Sequence, residues 1–175
     1  MLKSLLGMTL SGLVCLAATT ASATTLVKQD FKTLVQDASA CVVAKTQSVS
    51  YETVNGAPVT KTVFSVSKTA FGKTPKTLTV VTPGGHLTGR KVLMGEVNAG
   101  APRFFNGAEN VLLLKSLSTG DYAIAGYSQG VFDVVRDQTT ASVRLPESQG
   151  GVTQIDRALS IINRARRSTN NDVRD

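Results

Sequence analysis

Cys41-Val42-Val43-Ala44-Lys45-Thr46-Gln47-Ser48-Val49-Ser50-Tyr51-Glu52-Thr53, then Asn55-Gly56, then Val59 through Phe71: this stretch decides the fold. Asn-Gly is among the strongest short-range hairpin signals, because both residues tolerate positive φ and the turn they form matches the twist of the flanking strands. The spacing predicts a long strand from Cys41 to about Thr53 and a return strand from Val59 to about Phe71. Val63, Phe64 and Val66 stand among threonines, serines and lysines in the return strand, so one face is expected wet and the other buried.

Working outward, Gly72-Lys73-Thr74-Pro75 reads as a turn, Leu78 to Thr82 as a strand, and Pro83-Gly84-Gly85 as its sharp exit. A further strand is expected near Lys91 to Met94. Gly95 to Gly107 has no clear periodicity, and long ordered loops tend to carry function. Val111 to Leu114 suits a strand buried on both faces. Ser118-Thr119-Gly120-Asp121 turns it into Tyr122 to Tyr127, and strands follow at Val131 to Arg136 and Ala141 to Leu145. Helical spacing appears at both ends of this β region. Leu26, Val27, Phe31, Leu34, Val35 and Ala38 mark one face, with Asp30 as cap or first-turn residue. Ile155, Ala158, Leu159, Ile162 and Ala165 mark another, with Thr153 and Asp156 spaced as a capping box.

Before residue 24, Lys3 precedes an apolar run from Leu5 to Ala18, and Ala21-Ser22-Ala23 has the form of an export cleavage site. The run falls short of a membrane span and is broken by Gly7 and Gly12. Residues 1–23 are therefore expected to be a signal peptide cleaved after Ala23, and the protein to be periplasmic or secreted. Val14 before Cys15 argues against a lipoprotein signal. Residues 24–167 then form one domain, with 168–175 a polar tail. Val and Thr fill a quarter of the positions after residue 23, and both pack well on a pleated surface. Cys41 is the only cysteine left, so no intramolecular disulfide can form, and a small buried hydrophobe is its expected role.

The ordered pieces Phe64-Ser65-Val66, Gly72-Lys73, Pro83-Gly84-Gly85, Gly100-Ala101-Pro102-Arg103-Phe104 and Gly126-Tyr127-Ser128-Gln129-Gly130-Val131-Phe132 resemble those of a family of uncharacterised bacterial exported proteins. The resemblance covers about Cys41 to Val135. It departs at Phe105-Asn106, where the group is more often acidic. At fold level the strand order and length are similar to the netrin-like, OB-type barrel of tissue inhibitors of metalloproteinases. That likeness implies a barrel, and fold does not give function. Those inhibitors chelate zinc through an N-terminal cysteine and carry disulfides; here the expected N-terminus is Thr24-Thr25.

Several chemistries find little support in the residues. His86 is the only histidine, so no His-based metal cluster can be assembled. A Cys41-His86 nucleophile pair has no oxyanion motif beside it. Gly126-Tyr127-Ser128-Gln129-Gly130 matches Gly-x-Ser-x-Gly by spacing, but a strand is expected after it and no histidine follows Ser128. The phosphate-loop pattern is absent. Asp133 and Asp137 lack calcium-loop spacing and read as a solvated pair. Net charge is +7, spread over hairpin and turns apart from Arg164 to Arg167, which suits solubility. Aromatics are too few for nucleic-acid stacking.

Arg103 beside Phe104 and Phe105 places a guanidinium next to aromatic area, the residue types of interface hot spots. The competing role is internal: Phe104 plugs a barrel end and Arg103 pairs with Glu96 or Glu109. The sequence therefore predicts a mainly β (α+β) fold, a single antiparallel OB or netrin-like barrel of about six to eight strands flanked by two helices. The expected task is non-enzymatic binding of another envelope or secreted protein through Pro83, Gly84, Gly85, His86, Arg103, Phe104 and Phe105, with no catalytic or metal residues and no cofactor. Alternatives are a hydrolase using Cys41 or Ser128 and an envelope protein held by surface charge. Neither a nucleic-acid partner nor a membrane span in the mature chain is expected.

Overall fold

Two strands of fifteen residues each, β1 (Ala40–Val54) and β2 (Ala57–Phe71), pair antiparallel from Cys41↔Phe71 to Val54↔Ala57. Asn55 and Gly56 hold φ of 51° and 81°, the paired positive values that a two-residue primed turn requires. The computed structural model describes residues 27–86 and 95–168. The expected signal peptide, the strand near Lys91 to Met94 and nearly all of the polar tail lie outside the described residues.

Eight further strands follow among the described residues: β3 (Thr77–Pro83), β4 (Gly85–His86), β5 (Gly95–Glu96), β6 (Glu109–Ser116), β7 (Tyr122–Ile124), β8 (Val131–Arg136), β9 (Ala141–Arg144) and β10 (Val152–Gln154). Two α-helices, α1 (Phe31–Asp37) and α2 (Ile155–Arg167), complete a mainly β fold. Eight strands form one sheet in the order β1-β2-β3-β7-β6-β8-β9-β10, and β1 also pairs with β6. The pairing therefore returns to β1 after passing through β2, β3, β7 and β6. One contact in that circuit, Val80↔Tyr122 between β3 and β7, is parallel. The sheet is thus mixed, and ten strands replace the expected six to eight. The extra strands are two or three residues long, too short for a period-2 pattern to show.

The Ala40–Ala44 stretch of β1 and the Asn110–Leu114 stretch of β6 are buried on both faces because a core lies on each side. From β1 and β6, Val42, Ala44, Leu112 and Leu114 join Phe64, Leu78 and Val80 in one core; Cys41, Val43, Val111 and Leu113 face α1, α2 and Phe132 in a second. Alternation at period 2 turns one continuous apolar run, Ala40 to Ala44, into the wall shared by both cores. Each Val or Leu so buried contributes about 1.5–3 kcal/mol relative to exposure.

Asp30 caps α1, one of its two expected roles: its carboxylate accepts from Lys32 N at 2.9 Å, the helix begins at Phe31, and Val27, expected on the apolar face, is left exposed. At α2 the capping box does not form. Thr153 lies in β10 opposite Val143, the N-cap is Gln154 without a side-chain bond, and Asp156 pairs instead with Lys68 Nζ at 2.7 Å. Arg166, near the end of α2, donates to the carbonyls of Val35 and Gln36 and lies 5.2 Å over the Phe71 ring. A guanidinium there satisfies carbonyls at the C-terminal end of α1 that the short helix leaves open. It ties both helices to the end of β2.

The strand expected from Tyr122 to Tyr127 stops at Ile124. Gly126 takes φ 65° and a 3-10 turn, Tyr127–Gly130, follows.

Candidate binding groove

The hairpin register builds the floor of a groove. Four residues before the turn stands Tyr51 and four after it Thr60; they are direct partners, and Thr60 is in turn opposite Thr82. Direct partners share a face, so the three side chains form a row across β1, β2 and β3. The next row inward is Val49-Thr62-Val80, and the one below it Thr46-Phe64-Leu78. Polarity falls along this series, from exposed Tyr51, half-buried Thr60 and buried Thr82 to the apolar core. The hydroxyls of Thr62 and Thr46 are buried without a hydrogen-bond partner.

One wall is the Pro-Gly-Gly exit of β3. Gly84 donates its N–H to Pro58 O (3.0 Å), and its carbonyl accepts from Thr60 Oγ1 (2.8 Å). A Cβ at Gly85, where φ is 135°, would lie 2.7 Å from Thr60 Oγ1 and 2.8 Å from the Tyr51 ring; one at Gly84 would lie 2.8 Å from Glu96 O. Only glycines let this segment settle on the row beneath. It delivers His86 edge-on to Tyr51, with ring centroids 4.7 Å apart.

The opposite wall is the Gly100–Gly107 segment. Phe104 turns inward and meets Phe64 edge-on at 4.9 Å, whereas Phe105 turns outward and is 72% exposed. The segment is held at both ends: Ser128 N donates to Gly100 O (3.0 Å), and Gly107 N donates to Thr46 O (2.9 Å). All seven residues expected to form the site, Pro83, Gly84, Gly85, His86, Arg103, Phe104 and Phe105, line this one cavity of about 540 Å³, with Tyr51, Thr60, Thr82 and Val97 among its other lining residues. Phe104 contributes as a core plug at its base.

Arg103 is exposed and has no ion-pair partner among the described residues. Glu109, one of its two expected partners, is taken by the guanidinium of Arg136, which binds it with two nitrogens and has its own pKa raised by that bond. Three apolar or aromatic side chains, Tyr51, Val97 and Phe105, are exposed around the same cavity. Tyr51 could have been found in the sequence, since counting back from Asn55-Gly56 sets it opposite Thr60. Val97 lies in the segment without periodicity and gave no signal.

The Gly-x-x-Gln-Gly-x-Phe stretch works as a structural joint. A Cβ at Gly126 would lie 2.1 Å from Leu34 Cδ2, and one at Gly130 would lie 2.2 Å from Ala125 O. Gln129 accepts from Gln29 N (2.9 Å) and donates to Val27 O (3.0 Å), pinning the chain ahead of α1. Phe132 packs on Phe31 at 6.0 Å. Ser128 sits in the 3-10 turn before β8, not at a strand-to-helix elbow. Cys41 is fully buried, and burial pushes its thiol up to about 12, so it supplies no thiolate near neutrality. Asp133 accepts from Asn110 Nδ2 (3.0 Å). Asp137 caps its own turn, accepting from the backbone N–H groups of Thr139 and Thr140, which lower its pKa. The two carboxylates are thus engaged separately. Among the described residues no group of three or more His, Cys, Asp or Glu side chains is placed to hold a metal.

No family model matches the chain, and no curated protein is similar to it.

Proposed function

We propose that this chain is an exported protein-binding module of the OB or netrin-like barrel type, and that the groove between Pro83–His86 and Arg103–Phe105 is its recognition face. The observation that carries the reading is the convergence of two separate sequence segments on one cavity whose rim exposes Tyr51, Val97 and Phe105 beside Arg103, which has no ion-pair partner among the described residues. Exposed aromatic and arginine side chains grouped in this way are what interface anchors are made of. The return of strand pairing from β6 to β1 and the parallel β3–β7 contact support a closed barrel of five strands, with β8, β9, β10 and the helices packed outside it.

The likeness to bacterial exported proteins and the expected signal peptide support a location in the periplasm or outside the cell. Its partner is then another envelope or secreted protein; a peptidase is the class the netrin-like likeness suggests. The hydrolase alternative has a buried thiol at Cys41 and, at Ser128, a serine in a 3-10 turn with no hydrogen-bonded base among the described residues. Capture from envelope and culture-supernatant extracts, washed at about 0.15 M and about 0.5 M salt, tests the reading, since screening removes charge adhesion first. One stoichiometric partner should survive the stronger wash and be lost with Arg103→Ala. Loss of everything at about 0.5 M salt would leave adhesion to anionic surfaces as the better account.

A further inference from the structure

The groove runs beside a strand edge that is open among the described residues. β1 is paired with β6 only from Ala40 to Lys45; the bonds Thr46 N to Ala108 O and Gly107 N to Thr46 O continue that line by one step, and there it ends. From Gln47 to Val54, β1 is paired with β2 alone among the described residues. Hydrogen bonding alternates along an antiparallel pair. The two-residue turn makes Val54↔Ala57 the bonded closing pair, and the register runs unbroken from Ser48 to Val54. Glu52 and Ser50 therefore bond toward β2, while Val49, Tyr51 and Thr53 direct their N–H and C=O groups to the open side.

Such an edge is a template for another strand, and proteins commonly guard theirs with uncompensated charge or proline. Here the charged residue on the open stretch, Glu52, is neutralised by Lys61 at 2.8 Å. The side chains at Val49 and Tyr51 line the groove. A strand added at this edge would thus make its backbone bonds beside the cavity and have Phe105 and Arg103 within its course.

We infer that the occupant is an extended segment of a partner protein, added as a strand along Gln47–Val54, with an apolar side chain seated between Tyr51 and Phe105 and an acidic one facing Arg103. This inference rests on the groove being a protein-recognition face. Main-chain bonds would supply affinity, and the alternating side chains specificity. The acidic residue answers Arg103 locally: it is an exposed cation of the groove wall that forms no ion pair with Glu96 of the same cavity or with any other described residue.

A random dodecapeptide display library screened against the purified chain tests it, followed by amide hydrogen exchange on the chain with a selected synthetic peptide. The expected peptides carry an acidic residue in alternation with apolar ones, slow exchange at the Tyr51 and Thr53 amides at least 10-fold, and bind Thr53→Pro at least 10-fold more weakly. Proline at that position removes an outward N–H and leaves the β1–β2 bonds in place. If that variant does not fold, protection of the two amides in the unaltered chain decides alone. Binding that Phe105→Ala weakens while Tyr51 and Thr53 stay unprotected would overturn the strand addition and leave the groove reading standing. Failure to select any peptide would also overturn it. So would protection that rises with protein concentration in the absence of peptide, since a second copy would then own the edge.

Discussion

The imidazole of His86 stands edge-on to the ring of Tyr51, with centroids 4.7 Å apart and planes at 85°. This contact joins the Pro-Gly-Gly exit of β3 to the distal half of β1, the two parts of the chain that share the groove rim. It exists because Gly84 and Gly85 bring the backbone down onto Thr60. Aromatic pairs in this geometry add about 0.5–1.5 kcal/mol beyond area burial. Both residues are exposed, which puts this pair at the lower end.

Gly85→Ala should therefore shift the groove more than His86→Ala does. The added methyl group meets both the Thr60 hydroxyl and the Tyr51 ring, at a φ that L residues rarely adopt. We expect a loss of about 1–3 kcal/mol for Gly85→Ala and under about 0.5 kcal/mol for His86→Ala. Urea midpoints compare the two directly.

Phe104 and Phe105 should separate stability from binding. Phe104→Ala empties a site against Phe64 in the core and should cost about 3–5 kcal/mol. Phe105→Ala removes an exposed ring and should leave the thermal midpoint within a degree or two while weakening partner binding. Equal effects of the two variants on stability would mean that Phe105 is also structural.

Cys41 should be inert to maleimide in the native protein and label fully in denaturant. Its thiol also gives stability an alkaline limb. Burial pushes the folded-state thiol up from its ordinary value of 9.0 to about 12. Below about pH 9 both states keep the proton and stability is unaffected. Above it the unfolded chain loses its proton first, so stability falls as pH rises toward the folded value. Cys41→Ala should remove that part of the decline, measured as urea midpoints between pH 7 and about 10.5.

Gln129→Ala should release the chain ahead of α1 without unfolding the sheet. Two hydrogen bonds to residues 27 and 29 are lost, worth about 0.5–1.5 kcal/mol each. Limited trypsin digestion should then cut after Lys28 several-fold faster, while the urea midpoint falls by no more than the two bonds contribute.

The hairpin, the strand at Val111 to Leu114 and the closing helix were legible because each rests on a local rule: a turn dipeptide, a continuous apolar run, a 3.6-residue period. Pro83–His86 and Arg103–Phe105 were singled out for their turn and interface chemistry, and the structure brings the two segments to one cavity. What the sequence withheld depends on pairing between distant residues. Nothing local shows that Thr153 would enter a strand opposite Val143 rather than cap a helix, or that Glu109 would take Arg136 instead of Arg103. Arg166 likewise reads in the sequence as one of the basic cluster Arg164 to Arg167, and only the packing of α1 against α2 gives it the carbonyls of Val35 and Gln36. The parallel β3–β7 contact is a single residue pair, beyond what any periodicity can signal.

The most direct test of the recognition face is the affinity of the captured partner for Phe105→Ala, measured by calorimetry beside Val152→Ala. Val152 is 64% exposed and does not line the groove, so it controls for loss of surface apolar area alone. The account predicts at least a 10-fold weaker complex with Phe105→Ala and an unchanged one with Val152→Ala. Equal affinity of Phe105→Ala and the unaltered chain would contradict it.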